Sequence, residues 1–283
     1  MKYFYEIFDQ LISFGYNNVK NSISSVLDYI VFVDKGIIYR DSVNSIFGDG
    51  INFGVKRIAN TLVYGILIYF VFKYLISKLV NEEIEDMSSF IYKLVIAAIL
   101  IGFSEKICEV IININGYITE EILTYGQYII KKPISFETFL AKINSVISVE
   151  INAESQTVNN ILKGFVSFGL INLLLVYSLR YVYLKLLCLF LPFALVFNTN
   201  RKTEYISKVW LKSFIGLLLL QNLVAIIIIM GLSVKFGQIQ ILGKVICVGC
   251  VYALMQINEI QRELIGGTSL YINNSFRETK GGI

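Results

Sequence analysis

RYVYLKLLCLFLPFALVFNTNRKTEYISKVWLKSF, residues 180–214, decides how this chain is read. Arg180 and Lys185 stand at the entrance of an apolar run, Pro192 interrupts it, and Arg201 and Lys202 close it. Between Ile171 and Leu191 there is no Gly, Pro or Asp, so nothing supplies a turn. One long helix is therefore expected, leaving the hydrocarbon near Arg180 and continuing into the interface. A charge at mid-bilayer costs about 3 kcal/mol, whereas one near a helix end snorkels at little cost. The following run, LLCLFLPFALVF at 186–197, makes a helix of only ~18 Å against a hydrocarbon core of ~30 Å. Pro192 removes a backbone donor and clashes with the preceding turn, so the helix is expected to kink or end there. The spacing predicts a re-entrant or interfacial segment at 186–197. Arg180, Lys185, Arg201, Lys202, Lys208 and Lys212 then share one side, which the positive-inside rule makes cytoplasmic.

Composition sets the same frame for the rest of the chain. Of 283 residues 55% are hydrophobic and only 16% charged, with a mean hydropathy of +0.66. A soluble interior of that size could not hide so much apolar surface, so the class is an all-α polytopic membrane protein. A net charge of +4 gives no dedicated nucleic-acid surface. Histidine is absent, which removes His-based triads, His metal sites and imidazole proton shuttles. No GxxxxGK pattern occurs, so an ATP motor is not expected. Glu6 and Asp9 interrupt the place where the apolar core of a secretory leader would lie, and no such leader is expected.

The layout follows from hydrophobic periodicity. Residues 1–57 read as an N-terminal region with two amphipathic helices, one with Val26, Tyr29, Ile30 and Val33 on its apolar face, followed by a loop at 41–54. Residues 58–112 hold the first two spans, about Ala59 to Leu79 and Phe90 to Ile112. Residues 113–158 are polar and read as an external loop with short helices. Residues 159–257 form the membrane core, with further spans from about Ile161, from Trp210 to Val234 and from Gln238 to Ile257, and 258–283 form a polar tail. That gives about five spans, with the N-terminus outside and the C-terminus in the cytoplasm. A six-span arrangement with both termini inside balances the charges equally well.

Candidate site residues are few. Arg180 and Lys185 serve as interfacial anchors or line a conduit, and Pro192 stops a helix or gates one. Trp210 is an interface anchor or a partner contact. Gln221 and Asn222 sit between LLLL and LVAIIIIM, where amides need polar partners on another helix, a second subunit or a water-filled path. Cys247 and Cys250 form CVGC inside an apolar span, with no second pair or His to complete a metal or redox site. No catalytic residue, cofactor site or metal site is expected. A secondary transporter would show charged or Gly-broken helices at mid-depth in both halves, and only Gln221 and Asn222 come near that.

A long apolar helix closing with Arg, a short apolar segment with one Pro, a polar stretch, a Trp and two final spans resembles the TrbL-type proteins. These are the polytopic channel subunits of type IV secretion and conjugation machines. Arg180, Leu187, Pro192, Ala194, Trp210 and Leu217 carry the resemblance, within about 160–257. It implies a non-enzymatic subunit of the cytoplasmic membrane, with its N-terminus outside, a central external loop and a cytoplasmic tail. It also implies a homo-oligomer, partners among the other secretion subunits and ATPases, and DNA or protein cargo only in transit. The alternatives from other classes are a permease and a sporulation or export channel component.

Overall fold

Long apolar runs leave the backbone one way to satisfy its own polar groups away from water, the α-helix. The structure, a computed structural model, describes residues 23–32, 43–48, 53–80, 87–147, 153–200, 203–234 and 240–265. Among these residues every regular element is helical. In chain order they are α1 (residues 23–31), α2 (Val43–Phe47), α3 (Val55–Val80), α4 (Met87–Gly102) and α5 (Ser104–Ile130). Then come α6 (Phe136–Ile147), α7 (Ala153–Phe197), α8 (Glu204–Ser233) and α9 (Gln240–Ile265). Among the described residues three helices are long and apolar enough to cross a membrane: α3, residues Val158–Phe197 of α7, and α8. The protein is membrane-embedded. The 16 residues of α4 reach only ~24 Å, and the apolar part of α9, Gly243–Ile257, is similarly short.

Several segments differ from their expected form. The region at 41–54 contains α2 rather than loop alone, followed by Gly48 and Gly54, both at positive φ. The second expected span passes from α4 into α5 across a turn at Phe103, whose N–H donates to the carbonyls of Leu100 and Ile99. Residues 113–130 are not short loop helices but most of α5, a single helix of 27 residues. It stops where Lys131 takes a positive φ and Pro133 follows, a combination that cannot continue a helix. Nor does 186–197 form a separate segment, because α7 runs 45 residues through Pro192 to Phe197.

The chain divides into two units, and α5, α7 and α8 contribute to both. The first comprises residues Met1–Phe32, Ile118–Tyr181 and Leu219–Ile283. Its core joins Leu27 and Val31 of α1, Phe136, Phe139 and Ile143 of α6, Leu170 and Tyr177 of α7, Leu220 and Val224 of α8, and Val251 and Leu254 of α9. The second comprises Val33–Tyr117 and Val182–Leu218. In it the α3–α4 hairpin packs Val63, Phe70, Phe90 and Leu94, with Phe70 and Phe90 stacked at 3.6 Å.

Helix α1 is turned relative to its expected face. Ser24, Leu27 and Val31 are buried, whereas Val26 and Tyr29 are exposed. Its end is tied down in the first unit. The Asp28 carboxylate accepts a 2.8 Å hydrogen bond from the N–H of Phe136, capping α6 from outside that helix. Burial pushes the Asp28 carboxyl above the usual range, against the pull of the Phe136 and Glu137 N–H groups.

Candidate functional site

In the first unit the polar groups of three apolar interfaces meet. Arg180, expected at a membrane interface, is instead fully buried. One guanidinium nitrogen donates to the carbonyl of Val31 at 2.8 Å and the other to Gln221 Oε1 at 3.3 Å. Val31 is the last helical residue of α1, so its carbonyl lacks an intrahelical donor, and a cation is favourable there. Gln221 Nε2 donates to Thr119 Oγ1 at 2.7 Å, and the Thr119 hydroxyl donates in turn to Asn222 Oδ1. The donors run in one direction from α7 through α8 to α5 and back to α8. Burying a guanidinium is costly unless its donors are taken up. This chain offsets the cost with neutral acceptors on two helices.

Around it the first unit carries further partnered polar groups. Tyr177, one turn before Arg180 and fully buried, donates through its hydroxyl to the carbonyl of Leu254 at 3.4 Å. Lys244, inside the apolar run of α9, is buried and donates to Asn159 Oδ1 on α7 at 2.6 Å.

The second unit holds a different construction. Pro192 has no N–H, so the carbonyl of Cys188, one turn back, loses its helical donor. Cys108 of α5 donates its Sγ–H to that carbonyl at 3.8 Å. The neighbouring carbonyl of Leu187 accepts from Trp210 Nε1 at 2.9 Å, and the Trp210 indole stacks on Phe214 at 5.2 Å. A neighbouring helix thus satisfies what the proline frees, which is how lipid-embedded helices tolerate it. In the same unit Asn115 Nδ2 donates to the carbonyl of Leu218 at 3.1 Å.

The predicted residues therefore separate. Arg180, Gln221 and Asn222 belong to one network, while Pro192 and Trp210 belong to the other construction. Lys185 is half-buried. Arg201 and Lys202 lie outside the described residues. Sequence reasoning missed Thr119, Cys108, Asn115 and Lys244. Ser104, Cys108, Ile112, Asn115 and Thr119 recur at steps of three and four along α5 and are all buried, a stripe that a period count over 104–119 would have found.

No protein-family model matches this chain, and neither does a curated protein or a solved structure. Its chemistry must be argued from its own residues. Among the described residues no group of three acidic, Cys or His side chains is placed to hold a metal ion. A cleft of about 320 Å³ in the second unit is lined by Tyr92, Lys93, Asn198, Thr199 and Glu204 among others. It joins cation, anion and neutral polar groups without a nucleophile beside a base. What both constructions do is hold long helices together in a medium that offers no water.

Proposed function

We propose that the protein is a non-enzymatic membrane subunit of a type IV secretion or conjugative DNA-transfer apparatus, of TrbL type, contributing to the translocation path or its assembly. The supporting observation is that Leu187, Pro192, Ala194, Trp210 and Leu217, five of the six residues carrying the resemblance, fall in one unit, while Arg180 belongs to the other. Pro192 frees a carbonyl beside Leu187, the Leu187 carbonyl takes the Trp210 indole, and Ala194 and Leu217 are buried.

The chain passes the membrane five times in this reading, through α3, α4 continuing into α5, α7, α8 and α9. Helix directions within the first unit are consistent with it, although the 3.3 Å Lys56–Glu105 ion pair of the second unit joins the start of α3 to the start of α5. Thr119 bonds Asn222, and a Cβ on Gly126 would strike Ile229, so α5 and α8 run parallel at a constant offset of 103 residues. Asn159 meets Lys244 and Tyr177 meets Leu254, so α7 and α9 also run parallel. With the N-terminus outside, α5 and α8 both lead outward and α7 and α9 both lead inward. The loop after Phe197 and the tail then lie in the cytoplasm, and the partners are the other secretion subunits, the ATPases and further copies of this chain.

Deletion of the gene, with measurement of cargo transfer and affinity capture of the tagged chain, tests the reading. Loss of transfer together with capture of a secretion ATPase or channel subunit supports it. Normal transfer, or capture of a solute-binding protein instead, contradicts it.

A further inference from the structure

The first unit carries a pocket that none of its polar constructions uses. It holds about 350 Å³ and lies between α6 and the ends of α5 and α8. Thr138, Ala141, Lys142 and Ser145 line it from α6, and their steps of three and four put them on one stripe of that helix. Another stripe of α6, with Phe136, Phe139, Leu140 and Ile143, is buried in the core of the unit, so the pocket side of the helix is held in a fixed orientation. Lys132 enters from the turn after α5, directly behind Lys131 at its positive φ. Ile130, the last residue of α5, and Leu232, the last but one of α8, supply an apolar wall.

Two cations line this pocket, and among the described residues no carboxylate does. Glu137, the one acidic residue of α6, is exposed outside the lining. The Ser135 hydroxyl caps α6 by accepting the Thr138 N–H at 3.1 Å, and it stands 2.9 Å from the Thr138 hydroxyl. With Ser135 as the donor of that pair, the Thr138 proton is left for a ligand. Lys142 has a contact of its own, and an ammonium group with three donors serves an anion beside it. The 30 residues of α8 reach ~45 Å, the thickness of a bilayer with its headgroups. Leu232 therefore lies near the headgroups whichever way α8 runs. Ammonium groups above an apolar wall at that level match a phosphate on an acyl-chain lipid, as in other basic pockets between membrane helices. We infer that this pocket binds a phosphate group, either that of a phospholipid headgroup or a free phosphate ion. The site depends on neither the number of passes nor the secretion assignment.

Titration of the full chain in neutral maltoside micelles tests it, with fluorescent phosphatidylglycerol in one arm and inorganic phosphate, followed by calorimetry, in the other. Saturable binding is expected, and Lys132→Gln/Lys142→Gln should weaken it about tenfold or more. Lys73→Gln/Lys78→Gln, at exposed positions of α3 in the other unit, removes the same charge and should leave the affinity unchanged. Lys132→Arg/Lys142→Arg keeps both charges and should bind to within about threefold of the parent, which separates lost charge from lost packing. Lysine-dependent lipid binding that inorganic phosphate does not displace supports the site with a headgroup as its ligand. Lysine-dependent binding of inorganic phosphate that displaces the lipid supports it with the free ion. Equal weakening by the pocket and α3 variants, loss of binding in the arginine variant, or saturable binding of neither phosphate source overturns it.

Discussion

Arg180 and Pro192 lie on the same helix and pose opposite problems. Arg180 brings donors and a charge into a dry interior, while Pro192 takes a donor away and strands a carbonyl. The first is answered by side chains with their own polar signature, Gln221, Thr119 and Asn222, together with one backbone carbonyl. The second is answered by Cys108, while Trp210 bonds the carbonyl beside it; both read as apolar or interfacial in a sequence. A buried charge recruits strong partners and fixes which helices meet. A missing backbone bond is met by whatever weak donor stands opposite. The network should therefore govern stability, and the proline patch should only adjust it.

The largest expected effect is that of Gln221→Leu, which takes an acceptor from a buried guanidinium. Unfolding free energy in lipid–detergent micelles should fall by about 2–3 kcal/mol. A loss no greater than that of Trp210→Phe would erase the contrast. Trp210→Phe keeps an aromatic ring against Phe214 but removes the bond to Leu187, and about 1 kcal/mol should be lost in the same assay. Cys108→Ala should cost about 0.6 kcal/mol or less, in line with interhelical bonds in membranes. In a Pro192→Ala background it should cost nothing, since the Cys188 carbonyl then regains its helical donor. An equal cost in both backgrounds would separate the cysteine from the proline.

The smallest effect concerns Asp28. Its carboxyl is held above the usual range by burial. A raised folded value adds stability that is complete below the ordinary carboxylate range and is lost as pH rises through the folded value. Asp28→Asn keeps a capping oxygen for Phe136 and removes the titration. Relative to the parent it should gain stability as pH rises from acid to neutral. The reverse trend would show that the Phe136 and Glu137 N–H groups outweigh burial.

Much of the architecture was legible. Apolar runs at 59–79 and 210–234 gave helices because lipid leaves no other way to pair the backbone. Gln221 and Asn222 were conspicuous as amides among aliphatics. Arg180 was misplaced because a cation is assigned to an interface when its acceptors are out of sight, and one of them is the carbonyl of Val31, which any residue could supply. Pro192 was read as a stop because the Cys108 donor lies 80 residues away in the chain. The polar character of 113–130 suggested an external loop, although Asn115, Thr119 and Gly126 of that stretch are buried while Glu120, Glu121, Thr124 and Gln127 face outward. Composition averages over those two faces, and the register with α8 separates them.

A double-mutant cycle between Arg180 and Gln221 tests the central claim most directly. Arg180→Leu, Gln221→Leu and the double variant are compared by reversible unfolding in the same micelles. With both partners replaced by apolar groups no charge is left buried, so the double variant should lose less than the two single losses combined, by on the order of 1–3 kcal/mol. Additivity to within about 0.5 kcal/mol would show that Arg180 does not depend on Gln221, and would return it to the membrane interface.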